Sequence, residues 1–247
     1  MVVREGGKIC FKKSQYVVYQ PYAGLHIAYH AKKFCFSGRS RYQKIDIIDN
    51  DAYGRMLLLD NNLQHTSYDA RIFNDALCGR AKRSGLKRLI VLGGGSGQTA
   101  MSLLESHEVS QVTVAEIDGM VVEACRMHIK GVKKAFDDQR VRIVIADAFR
   151  FIHETHEHFD AAIVDFTESP VGLTDSLAVL RRLYADVSEK CGGRCSQYIG
   201  SSVELAYAPK ERRLALELGK RLLSGVKCDE VFIPSFGAPH VFMHAGY

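Results

Sequence analysis

The apolar run Leu89-Ile90-Val91-Leu92 leads directly into Gly93-Gly94-Gly95-Ser96-Gly97, and a helix-periodic segment follows. No other feature constrains the fold as strongly. A short apolar run closed by glycines reads as a buried strand, and the glycines let the chain turn tightly, approach a ligand and enter a helix. The same alternation continues on both sides. A helix begins near Tyr68 with Ile72, Phe73, Ala76 and Leu77 on one face, and strands are predicted at 88–92, 111–116, 141–146, 161–165 and 195–199. Helices are predicted at 97–106, 119–129, 148–153, 176–189 and 209–223. Strands separated by helices must cross over to pair, which gives a parallel sheet with helices on both faces. The closing strands, 230–234 and 241–244, have no helix between them, so the last is expected to insert antiparallel. Before residue 66 the pattern is different: short strands at 15–20, 24–30, 42–48 and 54–59, punctuated by turns such as Asn50-Asp51-Ala52-Tyr53. A chain of 247 residues is too long for one average domain of about 150 and too short for two enzymatic ones. The expected organisation is a small β-strand domain over 1–66 and an α/β catalytic domain over 67–247.

Charge and cysteine content narrow the function classes. The net charge of +5 suggests an anionic partner, but residues 1–44 hold nine Lys and Arg side chains beside Glu5 alone, which leaves the remainder mildly acidic. Nucleic acid is therefore not the expected partner. With 25 % charged residues and no window of about 18 uncharged apolar ones, a membrane span is not expected either. The early cations Arg4, Lys8, Lys12 and Lys13 precede no apolar leader core, and a cytoplasmic location is expected. Seven scattered cysteines, with Cys191 and Cys195 as an isolated C-x3-C, read as free thiols. His153, His156 and His158 lie among Glu154 and Glu157, away from the strand ends where such sheets bind ligands. They read as a solvated helix end, and no metal is expected.

The glycine loop has the spacing G-x-G-x-G. Gln98 stands where a dinucleotide fingerprint needs glycine, and no Lys-Ser/Thr pair follows, so the expected ligand is a nucleoside without a pyrophosphate. Glu116, followed by Ile117, ends the next strand, where a carboxylate can accept both ribose hydroxyls. Asp147, followed by Ala148, ends the third strand, placed to accept from an adenine amino group. Together they describe a Rossmann-like site of the S-adenosylmethionine type.

Several further stretches resemble the spermidine/spermine synthases, the polyamine aminopropyltransferases. They are Ser40-Arg41-Tyr42-Gln43-Lys44-Ile45, Ala52-Tyr53-Gly54, Leu58-Leu59-Asp60 and Leu63-Gln64-His65-Thr66, then the glycine loop, Glu116-Ile117-Asp118, Asp147-Ala148, Phe159-Asp160, Asp165-Phe166-Thr167-Glu168-Ser169-Pro170 and Ile233-Pro234-Ser235-Phe236. The likeness runs in order from about residue 40 to the end. It implies a class I S-adenosylmethionine-dependent transferase fold with a mostly parallel seven-stranded sheet. It also implies transfer of an aminopropyl group from decarboxylated S-adenosylmethionine to a di- or polyamine, releasing methylthioadenosine, and a homodimer. Under this resemblance Asp165 is the catalytic base. Gln43 and Gln64 contact the donor or product, as do Gly93, Gly95, Ser96, Gly97, Glu116, Ile117, Asp147 and Ala148. Asp69, Asp165, Thr167 and Glu168 bind the amine. Two bland alternatives stay open: Asp69 as an ordinary helix cap, and Glu168 as a solvated loop charge.

The chain also departs from the family. Ser96 replaces an Asp that helps to hold the donor's ammonium, a loss worth about 1.5–3 kcal/mol. That departure leaves open intact S-adenosylmethionine and amine N-methylation, or a ligand-binding relative without turnover. Phe73-Asn74-Asp75-Ala76 replaces an aromatic-His/Gln-Glu-Met stretch, and Pro239-His240 stands where the family has a C-terminal tryptophan. The length of the loop after Asp165 resembles that of spermine synthases, which points to a longer or unusual acceptor.

Overall fold

The computed structural model describes residues 3–5, 8–10, 15–22, 25–166, 176–203 and 209–247. Up to Thr66 the described chain is all β. Strands β1 (Val3–Glu5) and β2 (Lys8–Cys10) form one antiparallel pair, and β3 (Gln15–Tyr22) and β4 (Leu25–His30) form another. Strands β5 (Lys33–Arg39), β6 (Lys44–Asn50), β7 (Gly54–Leu59) and β8 (Asn62–Thr66) make a four-stranded antiparallel sheet. The β7–β8 hairpin turns on Asp60 and Asn61 with φ of 45° and 68°, the left-handed pair that a two-residue turn requires. Both faces of this sheet are covered: Ile45, Ile47, Leu57 and Leu59 face the α/β body, while Ile48, Met56, Leu58 and Leu63 pack with Tyr29 and Ala31. Double burial explains why β6 and β7 read as apolar runs without alternation.

The body begins with α1 (Ala70–Arg83) and continues through β9 (Arg88–Gly93), α2 (Gln98–Leu103), β10 (Gln111–Glu116), α3 (Gly119–His128), α4 (Val132–Phe136), β11 (Val141–Ile145), α5 (Ala148–Glu154) and β12 (Ala161–Asp165). It closes with α6 (Ser176–Cys191), β13 (Cys195–Ser201), α7 (Pro209–Leu222), β14 (Lys227–Ile233), a 3-10 turn at Pro234–Phe236 and β15 (Ala238–Ala245). The strand order is β11-β10-β9-β12-β13-β15-β14. The first five strands are parallel, and β15 inserts antiparallel between β13 and β14, as the missing crossover helix requires. Leu89 and Val91 of β9 pack with Leu77, Leu103 and Val121 on one face; Ile90 and Leu92 pack with Ile152, Leu183 and Tyr184 on the other. Each such buried side chain is worth about 1.5–3 kcal/mol.

Some local details differ from the sequence reading. Strands β5 and β8 and helix α4 carry no clear pattern, and α2 is shorter than the predicted 97–106. Asp49 holds the Arg55 guanidinium, which also donates to the carbonyl of His128 at the end of α3, fastening the small sheet to the body. Tyr29 adds a buried bond to the Ser235 carbonyl at 2.5 Å. His153 is not simply solvated: its Nδ1 lies 3.0 Å from Asp186 on α6. Cys191 and Cys195 are free, buried thiols, and burial pushes Cys191 up to about 12. Among the described residues no helix is long and apolar enough to cross a membrane, and no group of three His, Cys, Asp or Glu side chains is arranged for a metal.

Candidate active site

From β9 the chain steps outward in sequence to β10 and β11 on one side, while β12 and β13 lie on the other. The crevice beyond the carboxyl ends of β9 and β12 is therefore a topological switch point, where open α/β sheets bind ligands. Gly93 and Asp165 are register partners across it. Gly93 has φ of 84°, and a Cβ there would sit 2.6 Å from the Asp165 carbonyl oxygen. Gly95 faces a similar limit, because its Cβ would meet the Glu116 side chain at 2.7 Å.

The glycine-loop backbone holds Glu116 in place. Gly95 N–H donates to Oε2 at 3.0 Å and Asp118 N–H to Oε1 at 2.9 Å, while burial pushes the carboxyl above its ordinary range. Asp118 caps α3 with Oδ1 and with Oδ2 accepts from Ser40 Oγ at 2.6 Å and Gln43 Nε2 at 3.1 Å. The β5–β6 loop is thereby tied to the end of β10, and Gln43 stands beside it. Asp147 caps α5 through Oδ1, bonded to Phe149 and Arg150 N–H, and is exposed to solvent; Ala148 beneath it is buried. Ile117 and Met120 stay partly exposed, and Ile145 is 55 % exposed, an apolar surface beside the two acidic strand ends.

On the other side of the glycine loop lies a cleft of about 340 Å³, including its solvent-open mouth. It brings together Gln64, Asp69, Ser96 and Asp165. Asp165 ends β12 and accepts from Thr99 Oγ1 at 2.5 Å. Burial pushes its carboxyl up, and the Thr99 hydrogen bond opposes that shift. Phe166, next in sequence, stacks on Phe149 at 4.7 Å.

Asp69 occupies the N-cap position of α1, but its side chain caps nothing. It accepts instead from Thr66 Oγ1 at 2.6 Å, Ser235 N–H at 2.7 Å and Ser235 Oγ at 3.0 Å, and is 2 % exposed. The carboxylate thus joins the end of β8, the start of α1 and the turn before β15, which overturns its reading as an ordinary helix cap. Gln64 is anchored through Nε2 to the Asn62 carbonyl at 3.2 Å, and Ser96 Oγ accepts from Gln98 N–H at 3.4 Å. Thr167 and Glu168 lie outside the described residues.

The sequence reading assigned no site role to several contributors to the cleft. Thr99 sits where helical periodicity expects an apolar core residue, and it bridges Asp165 to Asn74 of α1. Phe73 packs with Tyr198, Phe236 and Phe242 at ring separations of 5.1–6.5 Å, an aromatic wall in a chain without tryptophan. His65 lines the cleft from the β8 side, and burial pushes its imidazole down to about 4 despite the opposing Asp69.

Residues 67–193 match the family model of the spermine/spermidine synthase domain, and residues 16–67 that of the spermidine synthase tetramerisation domain. A polyamine aminopropyltransferase of Thermoplasma volcanium is 29 % identical over 217 residues, covering 86 % of this chain and 77 % of that protein. A polyamine aminopropyltransferase of Hyperthermus butylicus is 34 % identical over 61 % of this chain and 54 % of its own length. One from Caldanaerobacter subterraneus is 35 % identical over 68 % and 58 %. The chain therefore spans between about half and three quarters of these curated relatives. Spermidine synthase from Thermotoga maritima superposes with a TM-score of 0.83 at 21 % identity, over 95 % of this chain and 79 % of that one. A spermidine synthase in complex with the transition-state analogue AdoDATO gives 0.84 at 23 %, over 95 % and 80 %. These two likenesses establish the fold. With both family models matched in order across residues 16–193, the chain belongs to the spermine/spermidine synthase family.

Proposed function

We propose that the protein transfers an aminopropyl group from decarboxylated S-adenosylmethionine to a di- or polyamine and releases methylthioadenosine. The observation that carries this reading is Asp165: a carboxylate with a raised pKa, at the switch point, between the glycine loop and an aromatic-walled cleft. An alkyl ammonium has a pKa near 10.4, so on the order of one molecule in a thousand is a neutral nucleophile at pH 7. Asp165 binds the ammonium, aims it and takes its proton as nitrogen attacks the carbon beside sulfur. A C–N bond forms, the C–S bond breaks, and its electron pair leaves on sulfur. The sulfonium is already a good leaving group, so the step needs no metal.

Donor and acceptor occupy opposite sides of the glycine loop. Gly93, Gly95, Ser96 and Gly97 take the donor's tail region, Glu116 with Ile117 its ribose, and Asp147 with Ala148 its adenine, while Gln43 contacts the donor from the β10 side and Gln64 reaches it from the cleft. Asp69, Thr167 and Glu168 serve the acceptor's amines alongside Asp165, and Phe73 and Phe236 line its methylenes. The division at 66/67, a homodimer and a cytoplasmic location belong to the same reading.

The test offers both donors with putrescine, cadaverine, agmatine, spermidine and spermine, and identifies the nucleoside by mass. Methylthioadenosine from the decarboxylated donor is expected. S-adenosylhomocysteine from the intact donor, or binding without turnover, overturns the proposal.

A further inference from the structure

A base that takes a proton on every turnover needs a satisfied hydrogen-bond environment in both of its states, because a buried polar group left unpaired is costly. Thr99 Oγ1 stands 2.5 Å from Asp165 Oδ2 and 3.2 Å from Asn74 Oδ1. The orientation of the Asn74 amide is fixed, because its Nδ2 donates to the Ala70 carbonyl at 2.8 Å, leaving Oδ1 to face Thr99. Both neighbours of the hydroxyl are therefore acceptors, yet a hydroxyl has one proton to donate. With Asp165 ionised, the shorter contact claims that proton and the Asn74 contact stands idle, oxygen against oxygen.

We propose that Thr99 is a two-position hydrogen-bond switch for Asp165, donating to the carboxylate while it is charged and turning to Asn74 once Asp165 holds the proton taken from the amine. In the second position the Asp165 O–H donates to Thr99 Oγ1 and the Thr99 O–H donates to Asn74 Oδ1, so every group in the row stays paired. The step balances within the proposed reaction. The proton leaving the ammonium resides on Asp165, the nitrogen lone pair makes the C–N bond, and the C–S pair departs on sulfur. Thr99 only rotates, and Asp165 returns its proton to water through the cleft mouth. Thr99 and Asn74 are positioning residues that act through Asp165, and the proposal rests on the reading of Asp165 as base.

The neighbouring titratable groups do not compete for this role. Cys78 of α1 is kept a neutral thiol by burial and by Asp165. Asp75 and Lys82, farther along α1, pair with each other at 2.8 Å. Asp69 is committed to Thr66 and Ser235, and His65 is held neutral by burial.

The experiment follows the Asp165 carboxyl by carbon-13 NMR in the whole protein without substrates. The acid limb of kcat/KM for aminopropyl transfer is measured in parallel for wild type, Thr99→Val, Thr99→Ser and Asn74→Leu. Thr99→Val removes a donor to the charged form and should raise the midpoint by about one pH unit, a tenfold change. Asn74→Leu removes the acceptor that serves only the protonated form and should lower it. Thr99→Ser keeps the hydroxyl and should match wild type, with melting curves confirming that each variant folds. Opposite shifts in the Val and Leu variants support the switch; equal midpoints, or shifts of the same sign, overturn it. Because the NMR titration needs no turnover, a protein that shows the opposite shifts but transfers no aminopropyl group keeps the switch and refutes the proposed reaction instead.

Discussion

Replacing Asp69 separates its structural contribution from its chemical one. The carboxylate accepts from two hydroxyls at Oδ1 and from the buried Ser235 N–H at Oδ2. Asp69→Ala removes all three. The two hydroxyls can rotate toward other partners, but the Ser235 N–H cannot, and Thr66, Asp69 and Ser235 are each at most 2 % exposed. An orphaned buried donor costs about 1–3 kcal/mol, and the lost bonds to a charged acceptor add about 1.5–3 kcal/mol. A total near 4 kcal/mol corresponds to a fall in Tm of about 8–16 °C for a chain of this size. Asp69→Asn is milder. Its carbonyl can keep the Ser235 N–H while its amide donates to hydroxyls that are free to accept, so a loss of about 1 kcal/mol, or 2–4 °C, is expected. Differential scanning calorimetry of the three proteins, with KM for the amine on those that fold, reads both contributions. If the Ala and Asn variants melt together, or neither falls by more than about 2 °C, the pinning role is wrong. If Asn leaves the amine KM within a factor of two, Asp69 is a pin and not an amine ligand.

Other outcomes follow from the same geometry. Gly95→Ala forces Glu116 away from the loop and breaks its bond to the Gly95 N–H; the donor KM should rise roughly 10- to 150-fold. The amine KM should stay within about threefold, and equal losses for both substrates would contradict the division of the site. His65 and His240 are pushed from 6.5 to about 4 by burial, so the unfolded chain binds protons that the folded one refuses. Their contribution to stability is full above pH 6.5 and is lost as pH falls toward 4, with a slope of up to about 1.4 kcal/mol per pH unit per histidine. His240→Asn should flatten Tm between pH 6.5 and 4.5, and an unchanged slope would be evidence against it. Asp165 has the opposite sign. Its folded pKa lies above the unfolded value, so ionisation destabilises the fold as pH rises past the ordinary carboxylate range, and Asp165→Asn should melt higher than wild type at pH 7 but not near pH 3.5.

The parts of the molecule that were legible in the sequence are those written in local pattern. The alternation of apolar strands with amphipathic helices dictates crossovers, hence the parallel sheet, and the absent helix before β15 dictates its reversal. The glycine loop, Glu116 and Asp165 are visible because each sits at a strand end that periodicity already locates. Strands β5 and β8 were hidden: Lys33–Arg39 and Asn62–Thr66 mix charged and polar residues because tertiary pairing, not their own propensity, holds them. The cap stayed open as an alternative for Asp69 because the residue stands at the helix start, whereas its decisive partner, Ser235, is 166 residues away. Thr99 was silent for a related reason. A threonine in a helix's first turn is unremarkable until the neighbouring strand brings a carboxylate to it.

The central claim is that Asp165 is the base for aminopropyl transfer. Its most direct measurement compares wild type with Asp165→Asn, offering decarboxylated S-adenosylmethionine and the best amine from the panel, quantifying methylthioadenosine and measuring donor binding by calorimetry. The account predicts methylthioadenosine from wild type and a fall of about 10²–10⁴-fold in kcat for the variant, with donor affinity within a few-fold. A variant that turns over at wild-type speed, or a wild type that yields only S-adenosylhomocysteine from the intact donor, would contradict it.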